Sequence, residues 1–294
     1  MAFGLLNVAK PSGPTSHDVV NAVRRGTGER RVGHGGTLDP MADGVLVLAL
    51  GRATRLLEYL SASHKAYRAE VTLGVTTDTY DAEGEVLAKR PVPLDLTLAD
   101  LDRALDAFRG TIQQVPPVYS AVKVGGKAAY ARARAGEELE LKPREVQIFE
   151  LEAVAFEPPR LTLRVVCSAG TYIRSLAHDL GEALGTGAML SALTRTASGQ
   201  FRLEDAVRWP DLEAAFADGS WRDLLLPADL ALDGTPQLHL DEQGLQDISH
   251  GRPLRAGDVP AHGLARAYAP DGRFVAVLEG DARRGFWRPQ KVFV

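Results

Sequence analysis

Apolar and polar positions follow two periods along this chain, and the switches between them mark its elements. Leu5–Ala9 is nearly all apolar and predicts a short strand, closed by the turn Pro11-Ser12-Gly13-Pro14. Ser16 then reads as the N-cap of a helix through Val19, Val20 and Val23 that stops near Gly26. Gly33–Pro40 holds too much glycine and proline for an element interior, so it predicts a constrained loop before a buried strand, Gly44–Leu50. Thr54 reads as the cap of a helix through Leu60. Alternation over Tyr67–Val75 predicts a strand, and Asp81-Ala82-Glu83-Gly84 a hairpin turn returning along Val86–Ala88. Leu98, Leu101, Leu105 and Phe108 have helical spacing. Past Pro116-Pro117, Val118–Val124 reads as extended and Lys127–Ala135 as a basic helix. Val146–Phe156, Leu161–Val166 and Met189–Leu193 read as strands. Thr171 reads as the cap of a helix to about Leu184, with Ile173, Leu176, Ala177 and Leu180 on one face. After Leu226-Pro227 the texture changes. Asp229–Pro236 reads as a linker, Glu242–Ile248 as a short helix, and Leu264–Tyr268 and Phe274–Leu278 as strands around Pro270-Asp271-Gly272. No strict βαβ rhythm is present, which disfavours a parallel dinucleotide-binding sheet.

Composition narrows the class. The chain has 294 residues, 45% apolar and 24% charged, as in ordinary globular proteins. Its single cysteine, Cys167, excludes an internal disulfide and a multi-cysteine zinc ribbon. At the end of an apolar strand it reads as a packing residue. The longest apolar run, Val45–Leu50, is too short to span a bilayer, and the first residues lack a basic signal-peptide region. A cytoplasmic protein is expected. The net charge of −4 argues against an obvious nucleic-acid binder. Its distribution qualifies this: residues 1–68 carry a basic excess, and residues 119–134 hold Lys123, Lys127, Arg132 and Arg134 without an acid. Solvated faces would account for both segments equally well.

Several familiar motifs fail. The glycines at 33, 35 and 36 meet Leu38 where a dinucleotide fingerprint needs a small residue. Gly126-Lys127 has Ala121 and Ala128 at the other phosphate-loop positions. Cys167-Ser168-Ala169-Gly170 follows Val166, not the glycine of a nucleophile elbow. No histidine pair has zinc-ligand spacing.

Three constellations remain. Asp39 sits in the glycine-rich loop, and Pro40 biases it toward extended geometry. A carboxylate held so rigidly suits a nucleophile or base, although it could equally cap a turn. Arg174, in Gly170-Thr171-Tyr172-Ile173-Arg174, falls in the first turn of a helix, where a cation is disfavoured by the helix dipole. A carboxylate partner would relieve this, with Asp39 a candidate; the alternative is an arginine reaching solvent. Lys65-Ala66-Tyr67-Arg68 sets an aromatic between cations, as base stacking requires, or buries a core tyrosine.

Taken together, Leu5–Ser16, Gly33–Gly44, Lys65–Arg68, Thr77–Gly84, Pro116–Lys123 and Gly170–Arg174 closely resemble the TruB family of bacterial tRNA pseudouridine-55 synthases, in the family's order over about residues 5–200. Val124–Arg132 is similar to the RNA-gripping insertion of the bacterial form, and the tail resembles, more weakly, a PUA-type RNA-binding module. The resemblance implies an α+β pseudouridine-synthase fold with a mixed, mainly antiparallel central sheet flanked by helices. Residues 1–232 would be the synthase, with a basic insertion at about 123–142, and residues 233–294 the PUA-like module. It also implies isomerisation of uridine 55 in the tRNA T-loop by base flipping, without cofactor or metal. Asp39 would be the essential carboxylate, attacking sugar or base or taking a sugar proton. Arg174 would pair with it. Tyr67 would stack on the uracil and assist loss of the C5 proton, Tyr172 and Leu193 would line the pocket, and His34 would fill the space the flipped nucleotide leaves. Lys123, Lys127, Arg132 and Arg134 would meet RNA phosphates in the T-stem and T-loop. A monomer with no obligatory protein partner and no membrane is expected. A non-catalytic RNA-binding or tRNA-folding protein, or a phosphosugar enzyme, are the competing readings.

Overall fold

A computed structural model describes the chain except residues 1, 121, 125, 130, 131, 133–136 and 138, and the side chains of 123, 124, 127 and 128. The central sheet has ten strands, with Val207–Arg208, Phe3–Lys10, Asp43–Gly51, Ala188–Ser198, Lys65–Leu73, Arg160–Cys167, Arg144–Glu157 and Gly110–Gln114 in spatial order. All pairings along this order are antiparallel except Phe3–Lys10 with Val207–Arg208 and Ala188–Ser198 with Asp43–Gly51. The sheet is therefore mixed and mainly antiparallel. One face packs on the helices Ser16–Thr27, Leu98–Leu105 and Ile173–Ala183 through Val20, Val23, Leu101, Leu176 and Leu180. The parallel pairing of Asp43–Gly51 depends on Gly44. At its φ of +100°, a Cβ would lie 2.3 Å from the Arg195 carbonyl oxygen.

A second sheet of five strands forms the tail, ordered Gln237–His239, Leu264–Tyr268, Phe274–Asp281, Phe286–Val292 and Leu254–Arg255. It is not loosely tethered. The segment expected as a linker includes most of a short 3-10 helix, Ala228–Leu232, whose Ala228 and Leu232 are buried against both sheets. The Asp229 carboxylate accepts from the Tyr268 hydroxyl at 2.7 Å, so a turn that looks polar in sequence is a packed strap. Phe3 of the first strand packs on Phe274 and Phe293 of the tail, with the Phe3–Phe293 centroids 5.1 Å apart.

Other local expectations shift for identifiable reasons. Thr15, not Ser16, caps the first helix, because its Oγ1 and Asp18 complete a capping box. Thr54 caps nothing; its hydroxyl donates to the Gly51 carbonyl, and a 3-10 turn precedes the helix Leu57–Ala62. The strand expected over Tyr67–Val75 breaks at Gly74, and Val75–Thr77 pairs separately with Val86–Lys89. Among the described residues of Val118–Val124, only Lys123–Val124 is a strand; it pairs with Lys127–Ala128, so the latter opens no helix, while Ala129 and Arg132 are helical and the rest of that expected helix lies outside the described residues. No helix among the described residues is long and apolar enough to cross a membrane.

Candidate active site

Asp39 occupies a loop held by buried cations and hydroxyls from four directions. Every carbonyl from Gly36 to Ala42 accepts a hydrogen bond. Arg195, 2% exposed, donates to Gly36 and Thr37, and also to Val45 at 2.7 Å. Ser16 donates its hydroxyl to Leu38 at 3.0 Å and accepts from its amide at 2.8 Å, which is why it does not cap its own helix. The Asp39 carbonyl accepts from the Ala42 amide, and Ser12 donates to Met41. Lys10, 1% exposed, donates to Ala42 at 2.6 Å and to Pro40 at 3.3 Å. Burial lowers the Lys10 ammonium to about 8, the nearby Asp43 and Asp39 opposing. The aspartate thus stands on backbone with little freedom to move, the preorganisation a reacting group needs.

Arg174 meets Asp39 as the sequence suggested. Its Nε lies 3.0 Å from Asp39 Oδ2, and Nη2 donates to Oδ1 at 3.3 Å. The helix Ile173–Ala183 that carries it starts at Tyr172, not at a Thr171 cap. The Gln114 side chain binds both sides of Tyr172, accepting from its amide at 2.8 Å and donating to its carbonyl at 3.0 Å. Thr171 instead donates to the Ser168 carbonyl. Asp81 holds the same guanidinium from the other side, 3.2 Å from Nη1, and the Thr79 and Tyr119 carbonyls accept its remaining hydrogens. Sequence reading missed Asp81, because an acid in a hairpin turn is unremarkable. Burial pushes the Asp39 carboxyl above its ordinary value; Arg174 opposes this and Asp81 reinforces it. The pair alone would have favoured the lower value expected of an ionised partner, but burial outweighs it.

Asp39 and Arg174 line a cavity of about 400 Å³ together with Tyr67, Tyr172, Leu193, Lys65 and Arg195. Tyr67 is 8% exposed and Leu193 7%, so both stand as walls. Burial pushes the Tyr67 phenol upward, with the nearby Arg195 guanidinium opposing. His34 does not line the cavity. Its Nδ1 accepts from the Gly36 amide at 3.3 Å, and burial lowers the imidazole, with Arg195 acting in the same sense. The Cys167 thiol is fully buried and pushed up to about 11 by burial, consistent with packing rather than nucleophilic chemistry. Arg195 left one legible signal. It falls on the same alternating phase as Leu193 and Ala197, the buried face of Ala188–Ser198.

Of the expected RNA-binding cations, Arg132 pairs with Glu137, Nη2 to Oε2 at 2.6 Å, just beyond the acid-free stretch. The side chains of Lys123 and Lys127, and all of Arg134, lie outside the described residues. Among the described residues no group of His, Cys, Asp and Glu could hold a metal ion.

Residues 24–173 match the family described as TruB family pseudouridylate synthase (N terminal domain). Residues 174–233 match the tRNA pseudouridylate synthase B C-terminal domain, and 236–294 the tRNA Pseudouridine synthase II, C terminal. A tRNA pseudouridine synthase B of Dehalococcoides mccartyi is 44% identical over 291 residues, covering 99% of this chain and 96% of that protein. One of Geobacillus kaustophilus is 46% identical over 258 residues, covering 86% and 90%. Among solved structures, the crystal structure of a Cbf5-Nop10-Gar1 complex superimposes with a TM-score of 0.76 at 30% identity, covering 99% of this chain and 85% of that one. The H/ACA RNP bound to a substrate RNA containing 2′-deoxyuridine gives 0.74 at 28%, covering 99% and 85%. A rigid aspartate clamped by an arginine, a shared fold and full-length relatives agree: this chain belongs to the TruB family of pseudouridylate synthases.

Proposed function

We propose that the protein converts uridine 55 in the tRNA T-loop to pseudouridine, with Asp39 as the essential carboxylate. The observation that carries this is the Asp39 carboxylate, paired at 3.0 Å with Arg174 in a walled cavity of about 400 Å³. The bond from uracil N1 to ribose C1′ breaks, the base turns, and C5 rejoins C1′. No group is lost and no electrons are exchanged. Burial makes Asp39 a stronger base and nucleophile than a solvated carboxylate, while Arg174 holds it oriented and supports its ionised form. It acts on the sugar carbon, on the base, or on a sugar proton.

A stacked uridine cannot reach this cavity, so the nucleotide flips out at a cost of a few kcal/mol. Tyr67, with Tyr172 and Leu193 beside it, receives the base; stacking offsets roughly 1–3 kcal/mol of that cost. The Tyr67 hydroxyl then helps the C5 proton leave. Residues 1–232 act as the synthase and 233–294 as the RNA-binding tail, with the arm around 123–142 gripping phosphates through Lys123, Lys127, Arg132 and Arg134. His34 fills the space vacated by the base. The chain works alone, in the cytoplasm. The test is incubation with unmodified tRNA followed by chemical mapping of pseudouridine. Modification at position 55 by the parent, and none by Asp39→Asn, is expected. Activity in Asp39→Asn, or modification elsewhere, would overturn it.

A further inference from the structure

Beside residues that line the Asp39 cavity lies an aromatic pair that neither the core nor the proposed chemistry uses. His64 and Phe149 lie with ring centroids 4.3 Å apart, His64 exposed and Phe149 41% exposed. They come from opposite sides of one narrow edge. Lys65 and Ile148 both sit opposite Cys167, so the end of the strand Arg160–Cys167 runs between them. Chain neighbours on each side line the cavity: Ser61 and Lys65 by His64, and Ser168 beyond Cys167, bonded to Gln147 through its backbone and hydroxyl.

Phe149 reaches this position through a local irregularity. The register between its strand and Arg160–Cys167 slips between Ile148 and Glu150, leaving Phe149 as the extra residue of a bulge. Bulges re-aim side chains and concentrate beside active sites. Phe149 and Glu150 are consequently exposed in succession, where strict alternation would expose one. Glu150 is not an obstacle to an anionic ligand, since Arg164 holds it at 3.2 Å.

We propose that His64 and Phe149 form a stacking platform for the nucleobase adjacent to the target uridine. This rests on the reading of the cavity as the uridine pocket. A base extruded into that pocket draws its neighbour toward the cavity, away from the vacated space that His34 fills. An exposed aromatic face next to the cavity's lining residues offers it a stacking partner, and base–aromatic stacking accepts any base. The platform acts in capture of the loop rather than in bond breaking.

An RNA hairpin carrying the T-loop sequence separates the possibilities. Phe149→Ala should raise KM by roughly 5- to 150-fold with kcat within about twofold of the parent, and Phe149→Trp should keep both. A hairpin with 5-iodouridine on either side of the target, irradiated with the parent protein, should cross-link to Phe149 or His64. Unchanged KM in Phe149→Ala, or cross-links confined to other residues, would overturn the platform while leaving the uridine pocket intact. If the parent forms no pseudouridine in tRNA or hairpin, the function itself fails and the platform with it.

Discussion

Replacing Arg174 by methionine keeps a long side chain in the same space and deletes its charge. Asp39 and Asp81 then share a cleft without the cation between them, and the Asp81 side chain is only 5% exposed. The Thr79 and Tyr119 carbonyls lose their donors as well. Breaking a buried ion pair from one side costs ~3–5 kcal/mol. The lower end, about 3 kcal/mol, applies here, because the Asp39 side chain is 34% exposed and solvent screens its contact. Urea unfolding followed by circular dichroism at neutral pH should read that loss directly. Adding Asp81→Asn to Arg174→Met should recover ~1–2 kcal/mol, within the usual coupling of residues in one network. Acid should narrow the gap between Arg174→Met and the parent, since protonation neutralises the stranded Asp39 carboxylate, already raised by burial. The reasoning fails if Arg174→Met unfolds within ~0.5 kcal/mol of the parent, the size of an ordinary surface change, or if Asp81→Asn deepens the loss.

Asp39→Asn should abolish pseudouridine formation while tRNA affinity falls less than about tenfold. Because the Asp39 carboxyl is raised from 3.8, the single-turnover rate of the parent should be present at neutral pH and fall with acid at a midpoint above 3.8; a midpoint at or below it refutes the effect of burial. Tyr67→Phe should still bind tRNA but turn over about 10²-fold or more slowly, whereas Tyr67→Leu should also lose roughly 1–3 kcal/mol of capture. Parent-like rates in both would return Tyr67 to the core. Burial lowers the Lys65 ammonium from 10.5 to about 8 while its Nζ donates to the Leu60, Ser61 and Ser63 carbonyls. The unfolded chain therefore holds more protons between pH 8 and 10.5, and Lys65 should add stability as pH rises through that window, by about 3 kcal/mol. Lys65→Met should remove this increment from the difference between urea curves at the two ends, and an unchanged difference refutes it.

The sheet was legible because its strands carry period-two or continuous apolar runs, and Asp39 because glycine and proline confine it. The Asp39–Arg174 pair could be inferred from an electrostatic conflict at a helix start. Asp81 and Lys10 could not, and Arg195 showed only as a cation on the buried phase of a strand, since their importance comes from what folding brings against them. Lys10 serves carbonyls of residues 40 and 42, and Arg195 those of 36, 37 and 45. The caps show the same limit. Local spacing chose Ser16 and Thr171, yet Ser16 is claimed by Leu38, and the start of the later helix is bound by Gln114, distant in sequence. Local rules saw suitable hydroxyls but not the competing partners.

The meeting of Phe3 with Phe274 and Phe293 has a consequence for synthesis of the chain on the ribosome. The outer face of the first two long strands, through Leu5, Val45, Val47 and Ala49, is covered partly by Val277 and Phe293. Those strands emerge early and their cover emerges last. At about 5–20 residues per second, the interval is roughly 10–50 s. During it the nascent first sheet presents an apolar surface to the cell, and chaperone capture or aggregation has its opening there. A chain interrupted after residue 232 would keep that surface uncovered indefinitely, so the tail completes the folding of the first strands as well as extending the molecule.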